Sequence, residues 1–483
     1  MRSGMDVRAC AARVDKWTAR HSLPLGVLLA VLLSALLALH NVSAGPLRNL
    51  NDIGGWGNRA LFIGMTAAVQ AAVLMLAALI HRGGFARLAL REVILTAGLY
   101  ILLLPVNQKT YFYVEVVQPI VRAMDEGGLF AGLAMESGFS APALALLYLV
   151  TRGPVYDMYL VKLLCVGCML GLALLAMRTA ERAGLGIRAE AVLTLCLILP
   201  QGFMNAACTA QLDIVAVLLL GLSLALVPDN PKGWRGWASA VCLGAASAVS
   251  GAALYALPVY ALLVRGGRMR ARQLAAAVGT MLVLCLPAVW LGMAPGEAFS
   301  SLLRANLGLP PFASGAPNLM NLIPRAAVEE MPGYFMLSRL PELDTVTNAQ
   351  PYYTQAHFEA VMHGLTLAGL AMYMGVCALV RRDGRMSPTA RALALTLGAL
   401  LVCPGATSGA WLAADVICVY ALLTEPGLRL PACMVLFATA GASCYPLTRE
   451  VLLPMILAFA LCALALCMLL GVFPGRKGEK THE

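Results

Sequence analysis

The chain has 483 residues, of which 60% are hydrophobic and 12% are charged, and its formal net charge is +10 at pH 7. A soluble globular protein carries about 25% charged residues, because it must cover its surface with them. The composition therefore excludes a soluble globular, a disordered or a nucleic-acid-binding protein and indicates a multi-pass protein of the cell membrane. The Lys and Arg residues lie in short segments between apolar runs, which is typical of cytoplasmic topology signals.

Apolar runs of about 20 residues, the length that crosses a bilayer, recur along the chain and predict an all-α polytopic fold. The predicted spans are 23–44, 60–80, 90–106, 155–177, 190–208, 212–228, 273–293, 356–380, 391–407, 411–424, 430–446 and 451–473. The basic segments 1–22 and 474–483 predict two cytoplasmic termini. Segment 237–264 has basic residues at both ends, so we expect two short helices with an apex near Ser250-Gly251. With this hairpin the protein has about 12–14 transmembrane helices.

Two long segments, 107–153 and 294–355, are expected on the outer side of the membrane, whereas the predicted inner loops are short. Within the first of them, residues 139–151 are apolar but only half as long as a span. This length predicts a re-entrant or interfacial helix. No G-x-x-x-x-G-K-[ST] motif occurs in the sequence, so an ATP-driven pump is not expected.

The sequence contains 14 cysteines, and nearly all of them lie inside apolar runs. Cysteines in such positions behave as small hydrophobic residues. Cys165 and Cys168 form a C-x-x-C motif, but this motif also lies within an apolar run. We therefore expect neither a disulfide framework nor a redox site.

Few ionisable residues fall inside the predicted spans, where such groups are costly and by default functional. Gln211 and Asp213 lie at the outer end of a turn between two spans. They either face an external cavity, or Asp213 caps the helix that it begins. Asp415 lies one turn inside a span, which predicts a carboxylate facing the helix bundle. Lys162 lies near an outer helix end, from which its long side chain can reach the membrane surface.

Several short motifs follow one another in a recognisable order. An outer loop with Glu126-Gly127-Gly128 precedes a proline-bearing half-span and a Lys-bearing helix. Next come Gln211-Leu212-Asp213, a short hairpin, and an outer loop running from Ala316-Pro317-Asn318-Leu319 to Leu322-Ile323-Pro324. Over residues 105–425 this order resembles the GT-C-type glycosyltransferases, specifically the bacterial mannosyltransferase-like group related to the GPI mannosyltransferases. Each motif is short, so the resemblance depends on their order and spacing.

The resemblance implies a GT-C-like transmembrane core at 23–425, followed by C-terminal helices at 426–473. It implies an enzyme that transfers a mannose-like hexose from a polyprenyl-phosphate lipid to an acceptor on the outer side of the membrane. Such a transfer needs a carboxylate to take the acceptor proton, and cations or a divalent metal ion to stabilise the departing phosphate. The candidate catalytic residues are Glu115 and Asp213, and the candidate substrate-binding residues are Tyr113, Gln211, Asn318, Arg122, Arg304 and Arg325.

Several positions depart from the pattern of the family. Phe112 stands where the family has the aspartate of D-Y-x-x-F, and Ser250 stands where the hairpin lysine is expected. The segment that aligns with P-K-M-H-E-R-Y runs from Pro404 to Ala410 and lacks its charged groups. These changes remove the family's base, unless Glu115 replaces it, and the charges that stabilise the leaving phosphate.

Three hypotheses therefore remain open. The protein is a divergent glycosyltransferase, a catalytically inactive GT-C relative that binds a polyprenyl lipid or a partner enzyme, or a secondary transporter or lipid flippase. A transporter is expected to have polar residues near the bilayer midplane and repeated halves. The sequence contains no internal repeat and few midplane charges, so the transporter ranks third.

Overall fold

A computed structural model describes the chain from residue 91 onward, with gaps. The described residues are 110, 113–135, 139–153, 156–186, 188–227, 233–307, 317–319, 334–335, 353–382, 386–402, 408–443 and 453–471, with parts of 91–103. Side chains are described for most of these residues. The predicted spans 23–44 and 60–80 and both predicted cytoplasmic termini lie outside this part of the chain.

The described residues are almost entirely helical, as the recurring apolar runs predict. The helices are α1 Gln118–Ala134, α2 Ala141–Thr151, α3 Asp157–Arg182, α4 Arg188–Leu197, α5 Pro200–Cys208, α6 Asp213–Leu226, α7 Trp234–Val249, α8 Leu257–Arg265, α9 Ala271–Trp290, α10 Pro295–Leu307, α11 Gln355–Arg382, α12 Pro388–Val402, α13 Ser408–Thr424, α14 Arg429–Ser443 and α15 Met455–Leu469. Two short strands, β1 Tyr334–Phe335 and β2 Tyr353–Thr354, pair in an antiparallel orientation. Tyr334 pairs with Thr354, and Phe335 pairs with Tyr353.

Two of these helices, α3 and α9, are long and apolar enough to cross a membrane. Helix α9 exposes large apolar side chains along one face, among them Val278, Val283 and Trp290, of which 57%, 59% and 84% is accessible. Such a continuous apolar face is typical of a surface that contacts lipid or another protein. Helices α4 and α5 form a third candidate span if they are counted as one bent helix.

The predicted span 190–208 is not straight, because α4 and α5 meet at an angle of 43°. Pro200 begins α5 and has no backbone N–H, so the carbonyl of Cys196 cannot accept the usual bond from it. The N–H of Leu199 bonds to this carbonyl instead. Beyond the bend, Phe203–Cys208 is wound as a π-helix.

Helices α3 and α6 pack side by side and run in the same direction. Near their beginnings, the thiol of Cys165 donates to the carbonyl of Gln211 over 3.6 Å. Further along, Leu175 packs against Gly221. The first residues of both helices therefore lie at the same end of the bundle.

The opposite end of α3 carries a buried cluster of charged side chains. Arg91 is 2% exposed and forms ion pairs with Glu181, near the end of α3, and with Glu190, in the first turn of α4. The distance from Arg91 Nε to Glu190 Oε1 is 2.7 Å. Since a helix of this length spans about 39 Å, the cluster is far from the first residues of α3.

The predicted helical hairpin and the predicted short helix are both present. Helix α7 ends at Val249, and α8 begins after a short 3-10 segment, so the break falls at Ser250-Gly251 as expected. Helix α2 is 11 residues long and starts with Ser140 as its cap. The hydroxyl of Ser140 also donates to the carbonyl of Ala248, which joins α2 to the end of α7.

Candidate functional site

The backbone that leads into Gln211 and Asp213 is unusual. It follows the π-helical part of α5, and Ala210 has a φ of 56°, the left-handed conformation that residues other than glycine rarely adopt. This conformation is held by the N–H of Gln211, which donates to Asn205 O over 2.9 Å. Left-handed residues and π-helical turns cost energy and cluster at functional sites. The turn before α6 is therefore the strongest backbone indication of a site in the described residues.

Gln211 and Asp213 lie together, and the start of α13 packs directly onto both. A Cβ atom on Gly409 would lie 2.7 Å from Asp213 Cβ and 3.1 Å from Asp213 Oδ2. The same atom would lie 3.1 Å from Gln211 Oε1. Only a glycine therefore allows this approach, and the N-terminus of α13 meets a carboxylate, which its dipole stabilises.

Lys162 lies close to this contact and is completely buried, so the expectation that its side chain reaches the membrane surface is wrong. Its ammonium group interacts electrostatically with the thiols of Cys165 and Cys208. Asp213 also interacts electrostatically with the thiol of Cys165. A cation and a carboxylate thus flank Cys165 inside the protein, where charges interact more strongly than in water. The neighbouring helices enclose Lys162, which a span prediction alone does not foresee.

A second carboxylate lies at the beginning of α3. The hydroxyl of Tyr113 donates to Asp157 Oδ2 over 2.8 Å, and the N–H of Met158 donates to Oδ1 over 2.9 Å. Tyr113 is fully buried in a π-helical turn, Tyr113–Val117, whereas Asp157 is half-buried. Burial, with the neighbouring Asp157, raises the pKa of Tyr113 well above its usual value. The phenol therefore stays protonated and remains a donor to the carboxylate.

The other predicted site residues lie elsewhere or outside the described side chains. Asn318 is buried, and its Nδ2 donates to the carbonyl of Leu400 in the last turn of α12 over 2.6 Å. Arg122 is exposed on α1. The structure does not describe Arg325, nor does it describe the side chains of Glu115 and Arg304.

Asp415 faces the bundle as predicted, and the structure identifies its partner. The carboxylate is 1% exposed, and Thr439 Oγ1 on α14 donates to its Oδ1 over 2.8 Å. This contact joins the middle of α13 to the second half of α14. Among the described residues, no three His, Cys, Asp or Glu side chains come together in a way that could hold a metal ion.

Sequence reasoning missed Asp157 and Lys162 as members of the site. The signal that could have identified Lys162 is a cation within an apolar run, because such a residue is a functional candidate by default. Asp157 lies at the start of the same predicted span, 155–177, but its contact with Tyr113 joins two separate segments of the chain and leaves no pattern in the sequence. No family model, no curated protein and no solved structure matches this chain.

Proposed function

We propose that this protein is a membrane glycosyltransferase that transfers a hexose from a polyprenyl-phosphate donor to an acceptor on the outer side of the cell membrane. The observation that carries the proposal is the contact of Gly409 with Gln211 and Asp213. The resemblance to GT-C enzymes assigns the turn at Gln211 and the segment 404–410 to one active site. Their contact across a long stretch of sequence supports that assignment.

The chemistry of the transfer fits the groups at this end of the bundle. Breaking the bond between hexose and phosphate leaves negative charge on the phosphate, which a nearby cation stabilises. Lys162 is a cation that the neighbouring helices hold close to this turn. Asp213 is a half-buried carboxylate in the same region, and Cys165 lies near both Asp213 and Lys162. Together they form a polarised site next to the N-terminus of α13.

The position of the basic residues supports an outer location for this site. Arg178, Arg182 and Arg188 lie at the end of α3 that carries the Arg91 cluster. Basic residues concentrate on the cytoplasmic side of membrane proteins, so the end with Asp157, Asp213 and Gly409 is the outer one. The proposal includes the predicted topology of about 12–14 spans, with cytoplasmic termini and outer loops at 107–153 and 294–355.

One observation favours the catalytically inactive relative as a second candidate. In the segment where the family has His, Glu and Arg, the side chains of Asp213 and Gln211 occupy the space next to Gly409. A longer side chain at position 409 has no room. The segment therefore contributes no charge to a bound phosphate at this position, and an inactive protein would bind the polyprenyl lipid without turnover.

A transfer assay in membranes tests the proposal. Membranes that contain the protein receive radiolabelled polyprenyl-phosphate hexose and native lipid acceptors. We expect transfer above that of membranes without the protein, and a loss of about 10²-fold or more in Asp213→Asn. Asp125→Asn is the matched control, because it removes an exposed carboxylate that pairs with Arg152 on the loop helices. Glu115→Gln tests the other candidate that the sequence predicts.

Absence of transfer with several donors, from protein shown to be folded, would contradict the proposal and favour the inactive relative. Retention of full transfer in Asp213→Asn would remove Asp213 from the site.

A further inference from the structure

We infer that Asp157 is the base that takes the proton from the acceptor hydroxyl, and that Tyr113 positions its carboxylate. This inference rests on the proposed glycosyl transfer and names a residue that the sequence did not assign to the site. It follows from the surroundings of each described carboxylate and from the hydrogen bond between Tyr113 and Asp157.

The carboxylates whose side chains are described can be compared one by one. A base must lie at the reacting end, must reach the substrate, and must be held partly out of water so that its orientation is fixed. Most of these carboxylates fail one of these conditions. Those at the opposite end of the bundle are Glu181, Glu190 and Glu425, those exposed on the loop helices are Asp125, Glu126 and Glu297, and the one enclosed by apolar helices is Asp415. Among the described side chains, Asp157 and Asp213 remain.

The surroundings of the two remaining carboxylates differ. Asp213 lies against Gly409, whose close approach at the start of α13 fills the space beside the Cβ and Oδ2 of Asp213. Asp157 is half-buried at the first position of α3. Its Oδ2 accepts from a phenol, which leaves lone pairs on both oxygens for a further donor such as an acceptor hydroxyl.

Tyr113 gives Asp157 a fixed orientation. The phenol is fully buried, and the Tyr113–Val117 turn is held by the N–H of Val114, which donates to Thr110 O over 3.0 Å. A buried donor of this kind limits the rotation of the carboxylate and so prepares it for proton transfer. Tyr156 precedes Asp157 and packs edge-to-face against Tyr159, which adds a partly exposed aromatic ring beside the carboxylate. Aromatic rings with a polar group suit a boundary between protein and a polar ligand.

The proposed step balances as follows. The acceptor oxygen forms a bond to C1 of the hexose, and its proton moves to the carboxylate of Asp157. The bond between C1 and the phosphate oxygen breaks, and its electron pair remains on the polyprenyl phosphate that leaves. Asp157 then releases the proton to water. No oxidant or reductant takes part.

The test compares Asp157→Asn, Tyr113→Phe and Asp213→Asn by the pH dependence of kcat/KM for transfer in membranes. Asn keeps the shape of Asp157 and can still accept from Tyr113, so Asp157→Asn is expected to fold. We expect kcat to fall by about 10²–10⁴-fold in Asp157→Asn, with an unchanged KM for the donor. We also expect this variant to lack the acid limb of the pH profile, which is the fall in rate toward low pH that protonation of the base causes. In Asp213→Asn the rate falls but the acid limb remains. Asp125→Asn serves again as the control for loss of one negative charge.

Tyr113→Phe separates positioning from packing, because it removes one oxygen atom and keeps the buried ring. We expect kcat to fall while the KM for the donor lipid is unchanged, since the carboxylate loses the donor that fixes its orientation. A merely structural role for Tyr113 would lower the thermal stability and leave kcat unchanged.

These outcomes distinguish the role of Asp157 as the base from the proposed hexose transfer itself. If the wild-type protein transfers hexose and Asp157→Asn keeps both its rate and its acid limb, the inference is wrong and the proposed function stands. An acid limb that disappears in Glu115→Gln and persists in Asp157→Asn would assign the base to the first outer loop instead. If the folded wild-type protein transfers no hexose, the proposed function and the inference fall together.

Discussion

Replacing Gly409 by alanine tests the contact on which the proposed site depends. The added Cβ would lie 2.7 Å from Asp213 Cβ, a separation that carbon atoms essentially never adopt, so α13 or the turn before α6 must move. Overpacking of this kind costs about 1–3 kcal/mol. At 1.4 kcal/mol for each factor of ten, the equilibrium constant for unfolding rises by about 5- to 150-fold.

Two measurements on Gly409→Ala check this expectation. Thermal unfolding of the purified protein in detergent, followed by tryptophan fluorescence, is expected to occur at a lower temperature than in the wild type. The rate of hexose transfer is expected to fall by more than the loss of folded protein explains, because Asp213 and Gln211 are displaced. Gly167→Ala is the matched control: a Cβ at Gly167 in α3 meets nothing within 4 Å, so the variant is expected to unfold at or above the wild-type temperature. Equal stability and equal transfer in Gly409→Ala would refute the contact geometry.

Two further substitutions test contacts other than that of Gly409. Arg91→Met leaves Glu181 and Glu190 without their shared cation. We therefore expect the free energy of unfolding, measured by thermal unfolding, to fall by about 3–5 kcal/mol, while the KM for the donor lipid is unchanged. A stability equal to that of the wild type would contradict the buried cluster. Asn318→Ala removes the donor to Leu400 O and is expected to cost about 1–2 kcal/mol in stability while the KM for the donor lipid is unchanged. A raised KM without a loss of stability would instead support the substrate-binding role that the sequence predicts for Asn318.

The helical architecture follows from the sequence because it depends on local patterns. Apolar runs predict helices wherever the membrane or the protein interior surrounds them, and basic residues at both ends of 237–264 predict the break at Ser250. The bend at Pro200 does not follow from the same patterns. Hydropathy over a window measures length and composition, whereas the bend arises from one missing N–H.

The candidate site was predicted only in part, because its contacts join distant segments. Gln211 and Asp213 are neighbours in the sequence, and their turn lies where the resemblance expects it. Lys162 was expected at the membrane surface, since no pattern in one helix shows which neighbours enclose it. The pairing of Tyr113 with Asp157 depends on how the first outer loop folds back onto α3.

We propose that this chain alone transfers hexose from a polyprenyl phosphate. The most direct measurement uses the purified protein in liposomes that contain a polyprenyl-phosphate hexose and a lipid acceptor, with the product identified by mass spectrometry. We predict an acceptor whose mass has increased by one hexose, together with free polyprenyl phosphate, and much less of both with Asp213→Asn. Donor lipid that binds to the folded protein but stays intact with every acceptor would contradict the claim.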